Sequence, residues 1–218
     1  DGIKVSRVNI YKMFQWLVKN GYILKKKFPR LRANRGLNVY ALNTLGVNEV
    51  CNHYNIDREL IRHSIPKVEN LAHELHVTET FRILMKEADA GLYKVAFLWD
   101  DRQMKRVVRP TSKKKVFYPD VAIGIVPNYK KEKRTYYIEI DMGTKGRPYW
   151  VPKIVSWDHV TLVLCMNPGR LNRLKEFIEH SDRKEATGFA TVADFMKGGL
   201  KNTIWMWAKT RAKGPVDI

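Results

Sequence analysis

Carboxylates at two places in the chain are spaced for chemistry. Pro119-Asp120 sets one inside an otherwise apolar run, Val116 to Val126, and nineteen residues after Asp120 the triplet Glu139-Ile140-Asp141 supplies two more. Side chains of an extended strand alternate with a period of two, so Glu139 and Asp141 share a face. Neighbouring strands lie about 5 Å apart, which lets Asp120 and Glu139 converge on one hard cation. Carboxylates massed in low-dielectric surroundings repel one another, and Mg²⁺, or Mn²⁺ in its place, is the natural compensation. Residue types alone fit a second arrangement equally well: the same acids at strand ends, paired with some of the chain's many Lys and Arg.

Hydrophobic periodicity predicts the elements that hold these residues. Leu71, Leu75, Phe81, Leu84 and Met85 give a helix over Val68 to Asp89, followed by strands at Tyr93 to Asp100, Val116 to Val126 and Tyr136 to Asp141. Pro148 and Pro152 mark an irregular segment before a helix around Lys153 to Asp158. A buried-type strand at Val160 to Met166, a helix at Pro168 to Asp182 and a last strand, Gly188 to Val192, close the unit. Strands alternating with helices predict a layered α/β sheet.

Upstream lies a smaller module. Ile10, Met13, Phe14 and Leu17 recur at helical spacing, with Ser6 as N-cap and Gly21 as the stop. The other face carries Arg7, Asn9, Lys12, Gln15 and Lys19, side chains suited to phosphates and base edges. Strands at Tyr22 to Lys27 and Leu37 to Leu42 flank a cationic turn containing Lys25, Lys26, Lys27, Arg30, Arg32 and Arg35, and a further helix falls between Tyr40 and Asn55. Helix followed by a hairpin with a basic tip is the second half of a winged helix-turn-helix, whose complete form has about two more helices upstream. The N-terminus therefore reads as truncated or processed.

Charge points the same way. Forty Lys and Arg against 22 Asp and Glu leave +18 over 218 residues. Residues 1–50 alone hold ten basic residues and two acids. Such an excess attracts polyanions, DNA first and structured RNA second. The longest apolar stretch, Val160 to Met166, is far below the ~20 residues of a membrane span. With two cysteines, Cys51 and Cys165, and no leader, the expected setting is the cytoplasm, at the nucleoid or a plasmid.

The ordered set of motifs resembles a known family. Helix, three strands, Pro-Asp on the second and Glu-x-Asp on the third are similar to the PD-(D/E)xK restriction-endonuclease-like fold. The run LVKNGYILKKK…NVYALNTLG, then HELHVTETFRIL (His73 to Leu84), YPD, IEIDMGT and VTLVLCMNPGRLNRLKEF, more closely resembles the replication-relaxation proteins of plasmids and mobile elements. That resemblance implies a winged-helix DNA-binding domain at 1–65, a nuclease-like α/β domain with a central mixed sheet at 66–210 and a tail at 211–218. It implies double-stranded DNA as partner, with other replication or transfer proteins, or a second copy, besides. It places Asp120 and Glu139 at the metal-binding positions, with Asp141 completing the shell, and Glu79 as an acid from the first helix. Where the family pattern has a Lys two residues after Glu139, this chain has Asp141; Lys153 on the following helix is the candidate substitute. The implied activity is Mg²⁺-dependent nicking of DNA. The alternative is a non-catalytic accessory or regulatory protein on the same fold, marking an origin or promoter.

Other signals fail on spacing. His73 and His76 are three apart, which excludes HExxH zinc chemistry, and no GxxxxGK[ST] loop occurs. No His-hydrophobe-His triplet is present. Tyr118, Tyr136 and Tyr137 are expected as strand-core residues, and Trp205 and Trp207 as core or edge cover.

Overall fold

The computed structural model describes residues 7–28, 37–55, 58, 61, 65, 67–108, 116–129, 132–208 and 213–216. The chain divides into two compact units, 1–71 and 72–218.

The first unit is a helix, an antiparallel hairpin and a second helix: α1 (Arg7–Lys19), β1 (Ile23–Phe28), β2 (Leu37–Leu42) and α2 (Thr44–Tyr54). Gly21, at φ +76°, ends α1 in the left-handed conformation that glycine adopts without steric cost. α1 rests on the hairpin through Phe14 against Tyr40, ring centroids 4.8 Å apart, and Trp16 stacked on Tyr22 at 5.6 Å. Gly46 lets α2 approach closely, since a Cβ there would collide with the Tyr22 carbonyl. Phe14 and Leu17 are half-buried, whereas Ile10 and Met13 of the expected apolar stripe remain 40% and 51% exposed. Within residues 7–55, burial centres on Ile23, Gly46 and Val47, so the hairpin covers only part of the stripe. Ser6, the expected N-cap, lies outside the described residues.

The second unit is mixed α/β. Its main helix, α3, spans Val68–Asp89. β3 (Tyr93–Asp100), α4 (Asp101–Val107), β4 (Val121–Pro127), β5 (Arg134–Asp141), α5 (Arg147–Val155), β6 (Val160–Cys165), α6 (Pro168–Ile178), β7 (Thr187–Thr191), α7 (Val192–Asn202), β8 (Trp205–Trp207) and β9 (Lys213–Gly214) follow. The described strands form one mixed sheet in sequence order, β3 through β9. β3, β4 and β5 are antiparallel neighbours, β5, β6 and β7 run parallel, and β8 and β9 return antiparallel. The residues expected as a tail thus include a strand paired with β8. α5 and α6 are the crossovers that parallel pairing demands.

Alternation along β5 and β6 sorts side chains onto two faces. Ile138, Ile140, Leu162 and Leu164 pack with Leu84 of α3 and Phe195 and Leu200 of α7. Val163, Cys165 and Phe189 pack with Trp150 and Ile154 of α5 and Leu171 and Leu174 of α6. Tyr137, Glu139 and Asp141 belong to this second face by the same alternation. No helix among the described residues is long and apolar enough to cross a membrane.

The bounds of three expected elements shift, and α4 and α7 fall where no element is expected. The second strand begins at Val121, not Val116: Pro119 has no N–H for the ladder, and the Asp120 N–H goes to a side chain (below). The helix expected at Lys153 to Asp158 starts earlier, at Arg147, because Pro148 in the first turn sits where its missing N–H is not needed. Glu179 to Asp182, expected to extend α6, form turns instead.

Candidate active site

Asp120, Glu139 and Lys153, far apart in sequence, meet at one point of the second unit. The register brings this about. Val121 pairs with Ile138, so one step beyond the start of β4 places Asp120 beside Glu139 of β5. The Asp120 N–H donates to Glu139 Oε2 at 3.2 Å, and the Ile140 N–H donates to Asp120 Oδ2 at 2.8 Å. Each carboxylate thus takes a backbone donor from the other's strand.

Lys153 reaches in from the last turn of α5. Its ammonium donates to Glu139 Oε1 and, at 3.2 Å, to the Tyr149 hydroxyl one helical turn back. Both members of the pair are 4% exposed. Burial raises the Glu139 pKa, and the neighbouring charge of Asp120 raises it further, while Lys153 opposes both. Desolvation works against the Lys153 charge, but Glu139 and Asp120 outweigh it and hold the ammonium above its ordinary range. Lys153 is therefore a cation at neutral pH, held beside two acids.

His73 of α3 completes the cluster. Its Nε2 lies 3.0 Å from Asp120 Oδ2, and that hydrogen bond raises the imidazole pKa against the opposing effect of burial. Glu79, expected from the same helix, is not brought in; it pairs with Arg82 one turn along, at 2.5 Å. His73 is 47 residues from Asp120, and only the folded sheet shows their proximity.

Asp141 shares the strand face but not the cluster. It accepts a two-pronged bond from Arg170 in the first turn of α6, Nε to Oδ2 at 2.5 Å and Nη2 to Oδ1 at 3.0 Å. Arg170 Nη2 also donates to the Lys145 carbonyl. Asp141 thus pairs with Arg170 and not with Lys153. Its carboxylate is buried against a guanidinium whose planar fork matches it, and it ties the loop after β5 to α6. Nothing in local spacing pointed to Arg170.

Among the described residues no set of three or more His, Cys, Asp or Glu is arranged to hold a metal by itself. Mg²⁺ does not require one, since it is commonly bound through one or two carboxylates with water and substrate phosphate filling the shell. Two abutting carboxylates, one with its pKa raised partly by the other, have the donor chemistry that such a cation takes.

In the first unit, Asn9, Lys12, Gln15 and Lys19 are exposed on α1, and Lys25, Lys26 and Lys27 are exposed on β1. Strand alternation sends Lys25 and Lys27 to one face and Lys26 to the other. Arg7 opens α1. Arg30, Arg32 and Arg35 lie outside the described residues.

No protein-family model matches this chain, and no curated protein matches it.

Proposed function

We propose that the chain is a DNA-binding protein whose second unit is a metal-dependent endonuclease centre, serving replication, relaxation or transfer of a plasmid or other mobile element. The observation that carries this is the convergence of Asp120, Glu139 and Lys153, two carboxylates and a buried ammonium from the residue before β4, from β5 and from α5. The fold class fits a restriction-endonuclease-like domain: a mixed sheet with helices on both faces and the acids at the ends of neighbouring strands. The helix–hairpin–helix of the first unit, with cations on α1 and β1, fits part of a winged helix that holds duplex DNA through its phosphates.

Asp120 and Glu139 would hold Mg²⁺ or Mn²⁺, which supplies a water of lowered pKa and polarises the scissile phosphate. Lys153 places a fixed positive charge where negative charge builds on phosphorus, without reorganisation during the reaction. Tyr149 and Glu139 hold that ammonium in place. His73 and the Ile140 N–H fix the Asp120 carboxylate through the same oxygen, Oδ2.

A specific feature favours a second reading, a non-catalytic DNA-binding scaffold. Lys153 already neutralises Glu139, and Arg170 neutralises Asp141. Incubating the protein with supercoiled plasmid in Mg²⁺, Mn²⁺ or EDTA, beside Asp120→Ala, separates the two. Metal-dependent conversion to open circle that the variant lacks is expected of the nuclease; intact supercoils carrying bound protein would establish the scaffold.

A further inference from the structure

A cavity of about 320 Å³ lies near the Asp120–Glu139–Lys153 cluster, lined by the rings of Phe117, Tyr118, Tyr137, Trp157 and His159 together with aliphatic side chains. Three connections bind it to the cluster. Phe117 and Tyr118 lead directly into Pro119-Asp120. Tyr137 lies two residues before Glu139 on the same face of β5. The Lys153 ammonium lies 5.4 Å from the centre of the Trp157 ring.

The rings are linked to one another and to the backbone. Trp157 Nε1 donates to the Phe117 carbonyl at 2.9 Å, fixing the segment before Asp120 to the end of α5. Tyr137 meets Trp157 and His159 edge-on, with centroids 5.6 and 4.9 Å apart. Polar groups come from the Tyr118 and Tyr137 hydroxyls, His159 and the exposed Ser156 and Asp158. An aromatic floor with a few hydrogen-bonding groups at its edge suits a flat heteroaromatic ring. In a chain of charge +18, which attracts nucleic acid above other polyanions, that ring is a nucleobase.

We infer that this cavity receives one unpaired base of the nucleic-acid strand, next to the phosphate presented to Asp120, Glu139 and Lys153. The position of the pocket relative to the reaction rests on the nuclease proposal; the pocket's affinity for a base does not. A base stacked in a duplex cannot enter, so the preferred substrate is single-stranded DNA, or a duplex from which one nucleotide is flipped out.

The test uses the full chain in EDTA, so that cleavage plays no part. Binding of a fluorescent oligothymidylate and of a blunt duplex of equal length is compared for the parent, Tyr118→Ala and His159→Ala. Each variant is expected to weaken single-strand binding about ten-fold, the effect of losing one base–aromatic stack, and to leave duplex binding unchanged. Photocross-linking of 5-iododeoxyuridine in the single strand should label Tyr118, Tyr137, Trp157 or His159. Because His159 is exposed, its variant keeps the test valid if Tyr118→Ala fails to fold. Unchanged single-strand affinity, equal losses for both probes, or cross-links confined to other segments would overturn the pocket. Base binding in a chain that never cleaves DNA would overturn only the nuclease proposal.

Discussion

Replacing Lys153 by Met gives the sharpest energetic consequence of the site. Met keeps the length of the stem and removes the ammonium, leaving Glu139 buried with one backbone donor, the Asp120 N–H, and a second carboxylate beside it. Removing one partner of a buried ion pair costs about 3–5 kcal/mol, because the remaining charge stays desolvated. For a chain of this size each kcal/mol lowers Tm by about 2–4 °C, so a fall of about 6–20 °C is expected at alkaline pH. The loss shrinks in acid. Burial and Asp120 already raise the Glu139 pKa, and without Lys153 nothing opposes them. The folded variant then retains a proton that the unfolded chain releases, so its stability falls as pH rises above the ordinary carboxylate range, by up to about 1.4 kcal/mol per pH unit. Glu139→Gln/Lys153→Met removes both charges together and should melt close to the parent. Thermal denaturation followed by circular dichroism across pH, in EDTA, measures all three proteins. A single variant that melts with the parent at every pH would refute the claim that Lys153 neutralises Glu139.

Four further outcomes follow from other parts of the structure. Gly199→Ala forces a side chain into φ +66°, ψ −162°, with its Cβ 2.6 Å from Glu87 Cδ; Glu87 accepts from the Leu200 and Lys201 N–H groups, so a loss of more than about 2 kcal/mol is expected in urea unfolding, and parental stability would contradict that contact. Asp141→Asn should destabilise the fold through Arg170 yet leave the metal requirement of any cleavage unchanged; a shifted Mg²⁺ dependence would return Asp141 to the metal site. Burial pushes the Cys165 thiol up to about 12, so iodoacetamide at pH 8 should label Cys51 in the native chain and Cys165 only in denaturant, as peptide mapping would show. Lys25→Gln/Lys27→Gln should reduce the salt slope of DNA binding by up to about 1.8, against up to about 0.9 for Lys26→Gln on the opposite face; slopes equal to the parent would remove β1 from the interface.

Much of this architecture is legible where burial imposes a pattern. α3 and β3 fall at their expected bounds because apolar periodicity and alternation are strong there. α4 was not, since its seven residues hold a single buried side chain, Met104; the clue is the Asp100/Gln103 capping box at its start. α7 was missed as well, because its left-handed kink at Gly199 interrupts the helical signal and is stabilised by Glu87, more than a hundred residues upstream.

The candidate site divides in the same way. Asp120 and Glu139 were readable because strand alternation and register are local rules. The family resemblance offers Lys153 as the substitute lysine, and its ammonium meets Glu139. His73 and Arg170 were invisible as partners, being separated from Asp120 and Asp141 by 47 and 29 residues with no spacing rule to link them. Glu79 had the right residue type on the right helix, but a local pair with Arg82 claims it.

The most direct test of the central claim pairs fold with activity. Glu139→Gln/Lys153→Met and the parent are incubated with supercoiled plasmid and Mg²⁺ or Mn²⁺, after their melting curves and DNA affinities have been compared. A nuclease centre predicts open-circle product from the parent alone, with both proteins equally folded and equally bound to DNA. Equal conversion by the double variant, or none by a DNA-bound parent in either metal, would contradict it.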